Sequence, residues 1–119
     1  MRIKNHDLQH GKIAEVFSDS PLFGNSEQAL DLLGDLYYQG YDHIMLHVEN
    51  IHPDFFELRN GLAGEILQKF ANYRMNLAIV GDLSPYTSKS LKDFVYESNQ
   101  NRLINFMPTT TEALTKWDT

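Results

Sequence analysis

The sequence predicts an α/β fold with a single domain and a mixed, largely parallel sheet. Two short apolar segments, residues 44–48 and 77–80, are separated by a long amphipathic segment, which is the spacing of a β-α-β crossover. Strand-like and helix-like segments alternate along most of the chain, and this alternation favours helices layered on a parallel sheet. The length of 119 residues suits one hydrophobic core, so we interpret residues 1–119 as one domain.

Each predicted element depends on apolar spacing and on the residues that bound it. Asn25, with Gln28 three positions later, is typical of a helix N-terminus, and Gly40 of a helix end. Thr109 repeats the N-terminal pattern before the last helix. The predicted order is β-β-α-β-α-β-α-β-α, opened by a hairpin with its turn at residues 10–11. Strands are predicted at residues 3–8, 12–17, 44–48, 77–80 and 103–107, and helices at residues 25–40, 58–73, 88–98 and 109–117.

Composition narrows the classes of partner and of chemistry. The formal net charge is −6 and no basic run is present, so neither nucleic acid nor an anionic membrane is an expected partner. The chain has no cysteine, which excludes disulfides, a thiol nucleophile and cysteine-based metal sites. The first residues lack the apolar core of a signal peptide and no apolar run reaches about 18 residues, so we expect a cytoplasmic protein.

The densest set of metal-ligand side chains consists of His47, Glu49, His52 and Asp54. Imidazole nitrogens and carboxylate oxygens suit zinc or another divalent ion. Strand alternation would point His47 and Glu49 to the same face, but His52 and Asp54 lie beyond a break, and no known ligand spacing such as HExxH is present. A polar strand end is the favoured interpretation, so we predict no metal ligands and no cofactor.

Glu49 and Asp82 each follow the carboxyl end of a strand, and the two strands are joined by the predicted crossover. In open α/β sheets this edge is where ligands bind. Two close carboxylates could share acid-base work, but polar residues are also common at strand ends. No nucleophile or oxyanion donor accompanies the pair, so we assign no catalytic residue and favour a function other than catalysis.

Arg59 and Asn60 lie where the central helix is predicted to start. Free backbone N–H groups and a guanidinium could hold a small anion there. The alternative is an exposed first turn in which Arg59 pairs with Glu57 or Asp54. The candidate binding residues are therefore Glu49, His52, Asp54, Arg59, Asn60 and Asp82.

Several apolar and small residues are open to two interpretations. Gly61 and Gly64 within the predicted central helix indicate a close approach of that helix to the sheet. Phe55 and Phe56 are expected in the core, although an exposed pair would suit a protein partner. Trp117 is expected to seal the last helix onto the sheet, with a homodimer contact as the alternative.

Short motifs along the second half of the chain resemble the STAS domain, named for sulphate transporters and anti-sigma-factor antagonists. The matching motifs are GLAG at residues 61–64, LAIVG at 77–81, and INF at 104–106 followed by TEAL at 111–114. The run from residue 64 through Val80-Gly81-Asp82 to residue 91 is similar to a bacterial family of unknown function. The resemblance implies a STAS-like order of elements and a bacterial cytoplasmic setting, and it supplies no activity.

The resemblance also bears on regulation. In anti-sigma-factor antagonists a phosphorylated serine or threonine, preceded by an aspartate, comes just before the glycine-leucine pair. Here Leu58, Arg59 and Asn60 precede Gly61 and Leu62, so both the aspartate and the acceptor are absent. The resemblance therefore implies that the usual phosphorylation switch does not operate at this position.

Three hypotheses of function follow. The first is a non-enzymatic interaction or regulatory domain that binds a protein partner through residues 49–59 and the start of the central helix. The second is a small-molecule or anion sensor that uses Arg59, Asn60 and the adjacent strand ends. The third, less favoured, is a small hydrolase that uses Glu49 and Asp82.

Overall fold

Four of the five strands run parallel, and the first is antiparallel to its neighbour. The computed structural model describes residues 1–9, 11–100 and 103–118. The strands lie side by side in chain order in one sheet. They are β1 (Arg2–Leu8), β2 (Gly11–Phe17), β3 (His43–His47), β4 (Asn76–Val80) and β5 (Ile104–Met107). The predicted mixed, largely parallel sheet is confirmed, as is the parallel pairing of the two crossover strands, in which Met45 lies opposite Ala78.

Helices connect the parallel strands, as parallel pairing requires. The helices are α1 (Ser26–Tyr38), α2 (Pro53–Phe56), α3 (Leu62–Tyr73), α4 (Lys89–Gln100) and α5 (Thr110–Trp117). Short 3-10 turns at Val48–Asn50 and Leu58–Asn60 flank α2. Helices α1, α3 and α4 share one hydrophobic core on one face of the sheet, and α5 packs on the opposite face.

The central strands are buried on both faces because their side chains alternate between two apolar layers. In β3, Ile44 and Leu46 contribute to the core beneath α1, α3 and α4. Met45, between them, packs with Ala78 and with Ala113 of α5. Because β3 lies between two apolar layers, its sequence is an almost continuous apolar run.

The predicted cap residues hold their helices as expected. The Asn25 side chain accepts a hydrogen bond from the N–H of Gln28, and Thr109 does the same for Glu112.

Phe55 is buried in the core, as expected, and so is Phe56. The indole of Trp117 stacks on the His43 ring with centroids 4.5 Å apart, which seals α5 onto the sheet. The predicted turn at residues 10–11 includes His10, which lies outside the described residues.

The central helix begins later than the apolar spacing predicts. Gly61 adopts a left-handed conformation with φ of 75°, so residues 58–60 form a separate 3-10 turn and α3 starts at Leu62. The expected close approach at Gly64 is wrong. That residue is exposed, and a Cβ added there would meet nothing within 4 Å.

Two glycines provide a paired test of the fold. Gly81, directly after β4, has φ of 135°, and a Cβ on it would lie 3.2 Å from the Cβ of Val48. Gly81→Ala is therefore expected to lower the free energy of unfolding by about 1–3 kcal/mol. Gly64→Ala, in open helical space, is expected to raise it by about 0.5–1 kcal/mol. Urea unfolding followed by circular dichroism checks both, and equal effects would contradict the backbone placement of Gly81.

Candidate functional site

A cleft lies at the carboxyl edge of the sheet. Because β2, β3 and β4 are parallel, the chain leaves all three strands at the same edge. The three segments that follow them, residues 18–21, 48–53 and 81–86, surround a cavity of about 630 Å³. This volume is in the range typical of ligand sites.

Hydrogen bonds join the first two of these segments. The Ser18 N–H donates to Oδ1 of Asn50 at 3.2 Å. The Leu22 N–H donates to the Asn50 carbonyl and the His52 N–H donates to the Leu22 carbonyl, both at 2.7 Å. The two hydrogen bonds of Leu22 form a short parallel bridge with Ile51, which holds the first two walls of the cleft together.

The third wall is shaped by Asp82. Its carboxylate accepts hydrogen bonds from the N–H and the hydroxyl of Ser84, at 2.8 and 2.9 Å. The backbone hydrogen bond, followed by the hydroxyl, lowers the pKa of Asp82 below its ordinary value. Tyr86, further along this wall, packs against Phe56 with ring centroids 4.3 Å apart.

The cleft carries negative charge. Asp19, Glu49 and Asp82 line it, and all three are exposed. No lysine or arginine is among the described residues that line it. The parallel strands thus bring Glu49 and Asp82 to one shared cavity. The nearest basic side chain in the described lining residues is that of Arg2, which lines an adjoining cavity with Asp19 and Glu49.

His52 and Asp54 serve the local structure of α2 rather than the cleft. Nδ1 of His52 accepts a hydrogen bond from the N–H of Asp54 at 3.0 Å and caps the helix. Neither residue is among those that line the cavity, although Pro53 between them is.

Arg59 and Asn60 are likewise outside the cleft. The Arg59 side chain is 90% exposed and its Nε lies 3.1 Å from Oε1 of Glu57, the pairing that the alternative interpretation expects. Asn60 donates to the Asp54 carbonyl at 2.9 Å and accepts from the Leu62 N–H at 2.8 Å. The amide of Asn60 therefore holds the first N–H of α3, and the start of the central helix is not part of the cavity.

His47 and Glu49 do not form the same-face pair that strand alternation predicts. Strand β3 ends at His47, and Glu49 lies in the 3-10 turn that follows. The described residues contain no group of three or more histidine, aspartate or glutamate side chains placed to hold a metal ion.

Comparison with known protein families identifies the family of this chain. The model of the family described as Domain of unknown function (DUF4180) matches residues 8–117. The chain belongs to this family. The match includes all three walls of the cleft. Comparisons with curated proteins and with solved structures found no match. In the described part of the chain, none of the helices has both the length and the apolar character of a membrane span.

This DUF4180 domain also contains a buried carboxylate that the sequence interpretation missed. Glu15 of β2 is only 5% exposed. Nε2 of His6 lies 2.8 Å from one of its oxygens and Nε2 of His47 lies 2.8 Å from the other. Because an ionised carboxylate only accepts, both imidazoles donate, and the three residues join β1, β2 and β3 across one face of the sheet.

The environment of Glu15 favours its ionised form. Burial raises the pKa of the Glu15 carboxyl, but the hydrogen bonds from His6 and His47 and their charges more than offset this, and the pKa lies below its ordinary value. The ring of Phe17 stacks on His47 at 5.0 Å and limits access of water from that side. The signal in the sequence was a charged residue inside the apolar run at residues 13–16, in a strand that is buried on both faces.

Glu15→Gln tests this cluster. Because the folded-state pKa of Glu15 is lowered, its ionised form stabilises the fold above the unfolded value near 4.5, and this contribution is lost as pH falls through the folded pKa. At pH 7 the free energy of unfolding of the variant is expected to be about 1–3 kcal/mol lower than that of the wild type. This difference is expected to become smaller towards pH 3. Urea titrations between these two pH values measure it.

The matched control is Glu97→Gln, which removes an exposed carboxylate from α4. It is expected to change stability by less than about 0.5 kcal/mol at pH 7. A Glu15→Gln deficit at pH 3 that equals or exceeds the deficit at pH 7 would contradict the assignment.

Proposed function

We propose that this domain is a non-enzymatic module that binds a basic segment of a protein partner in the cleft at the carboxyl edge of its sheet. The observation that carries the proposal is the charge of the cavity. Three acidic residues, Asp19, Glu49 and Asp82, line it from three different segments, and no lysine or arginine among the described residues lines it. A lysine or arginine side chain of a partner complements this arrangement.

The shape of the cleft favours a peptide segment as its occupant. The cleft is open to solvent. Each of its three walls contains one proline: Pro21, Pro53 and Pro85. Proline restricts the backbone of each wall before a partner binds. The walls therefore lose little conformational entropy when a partner segment binds. Exposed hydroxyl and carboxylate groups on the walls suit an extended chain that carries its own polar backbone.

The chemistry of the cleft argues against catalysis by Glu49 and Asp82. Asp82 accepts two hydrogen bonds from Ser84, and its pKa is lowered, so it is an acceptor at neutral pH rather than an acid. No histidine is among the described residues that line the cavity. An anion sensor at Arg59 has less support than the basic segment, because Arg59 pairs with Glu57 and lies outside the cleft.

The sequence likeness to STAS domains supports a regulatory role, in the bacterial cytoplasmic setting that the likeness implies. An antiparallel first strand followed by four parallel strands with helical crossovers is compatible with that architecture. We propose that regulation here is not by phosphorylation before Gly61. Leu58 and Arg59 carry no hydroxyl, and the Asn60 amide is hydrogen-bonded to the backbone of Asp54 and Leu62.

A peptide-display experiment tests the proposed function. The purified domain is used to select from a library of random 12-residue peptides, and the selected peptides are expected to be enriched in lysine and arginine. Glu49→Gln/Asp82→Asn is expected to weaken their binding about tenfold, because two carboxylates lose their charge. Isothermal titration at two salt concentrations should show weaker binding at the higher one.

The control is Asp31→Asn/Glu97→Gln, which makes the same change in net charge at exposed helical positions outside the cleft. It is expected to bind the selected peptides as the wild type does. Selection of no basic peptide, or equal weakening by the two double variants, would overturn the proposed function.

A further inference from the structure

We propose that a second cavity, between the segment after β4 and helix α4, binds small amphipathic carboxylates with a single medium-length apolar tail. The cavity has a volume of about 460 Å³. Its apolar surface comes from Leu83, Leu91, Val95 and the ring of Tyr86. The proposal does not depend on peptide binding in the acidic cleft, since of these four residues only Tyr86 also lines that cleft.

One positively charged side chain, that of Lys92, lines the cavity. Lys92 is exposed and lines it beside the hydroxyl-bearing Ser84 and Thr87. Among the described residues, no carboxylate lies within ion-pair distance of Lys92, whereas Lys89 on the same helix is paired with Asp93 at 2.9 Å. The Ser84 hydroxyl donates to Asp82, which leaves the Lys92 ammonium and the Thr87 hydroxyl as the donors on this cavity. An ammonium that lacks a counter-charge, on the same cavity as an apolar wall, complements a carboxylate head group joined to an alkyl tail.

The Leu83 side chain, on one wall of this cavity, can adjust to a ligand while the backbone of residues 82–88 stays in place. Among the described residues, its hydrogen bonds stay within residues 82–92, as in the Tyr86 N–H to Leu83 carbonyl contact of 2.9 Å. A further cavity of about 450 Å³ lies beside Leu83 and Val95. The Leu83 side chain therefore has space to shift without breaking a backbone hydrogen bond to the sheet.

The charge of the site sets the class of ligand. A single ammonium matches a single carboxylate, and it repels an alkylamine of the same length. An alcohol of the same length fills the apolar part but gains no ion pair. Affinity should therefore follow carboxylate over alcohol over amine, and it should rise with tail length until the cavity is filled.

The test uses the full chain and a set of simple probes: butanoate, hexanoate, octanoate, 1-octanol and octylamine, each below its aggregation concentration. Two-dimensional NMR of the ¹⁵N-labelled protein is expected to show octanoate shifting the amides of residues 83–95. Each added methylene is expected to lower the dissociation constant about fourfold. Octanoate is expected to bind about three- to fivefold more tightly than octanol.

Variants locate the two parts of the site. Lys92→Gln is expected to remove the preference for octanoate over octanol while keeping octanol binding. Lys89→Gln, the same change on the same helix outside the cavity, is expected to keep the preference. Val95→Phe is expected to fill the cavity and to weaken both ligands at least tenfold.

Several results would overturn the proposal. These are no shift with any probe, equal affinity of octanoate and octanol for the wild type, or a preference for octanoate that survives Lys92→Gln. Shifts spread over the whole protein would indicate detergent-like binding and would also overturn it. The shift map and the affinities of the wild type decide the matter even if Val95→Phe does not fold.

Discussion

Parallel hydrogen bonding between β2, β3, β4 and β5 is the constraint on which the rest of this structure depends. A parallel neighbour cannot be reached by a tight turn, so each step across the sheet requires a crossover. With strands in chain order, the cores beneath α1, α3 and α4 merge into one layer. The same constraint delivers the segments that follow β2, β3 and β4 to a single edge, where they form the cleft.

The two faces of the sheet are used differently. Three helices cover one face, while α5, with only eight residues, packs on the other. On that second face the sheet holds Glu15 together with His6 and His47, so a polar cluster joins three strands where the helical cover is short. Disruption of this cluster is costly, because loss of either imidazole leaves one oxygen of a buried carboxylate without its hydrogen-bond donor.

Local signals in the sequence predicted the strands and the Asn25 and Thr109 caps, because these depend on residues close together in the chain. The parallel crossover was predicted because a helical segment separates its two strands. The start of α3 was mispredicted because the apolar spacing continues through Gly61, whose positive φ interrupts the helix. The hydrogen bonds of His52 and Asn60 to the first turns of α2 and α3 depend on backbone geometry that spacing does not reveal. The Glu15 cluster escaped prediction because its partners come from two other strands.

The account depends most directly on the direction and register of β3 and β4. Backbone NOE spectroscopy on the isotopically labelled protein measures which amide and Hα protons of His43–His47 lie near those of Asn76–Val80. We expect contacts that advance together along both strands, with Met45 beside Ala78 and His47 beside Val80. Contacts that advance along one strand while they retreat along the other would show antiparallel pairing, and would remove the shared edge that forms the cleft.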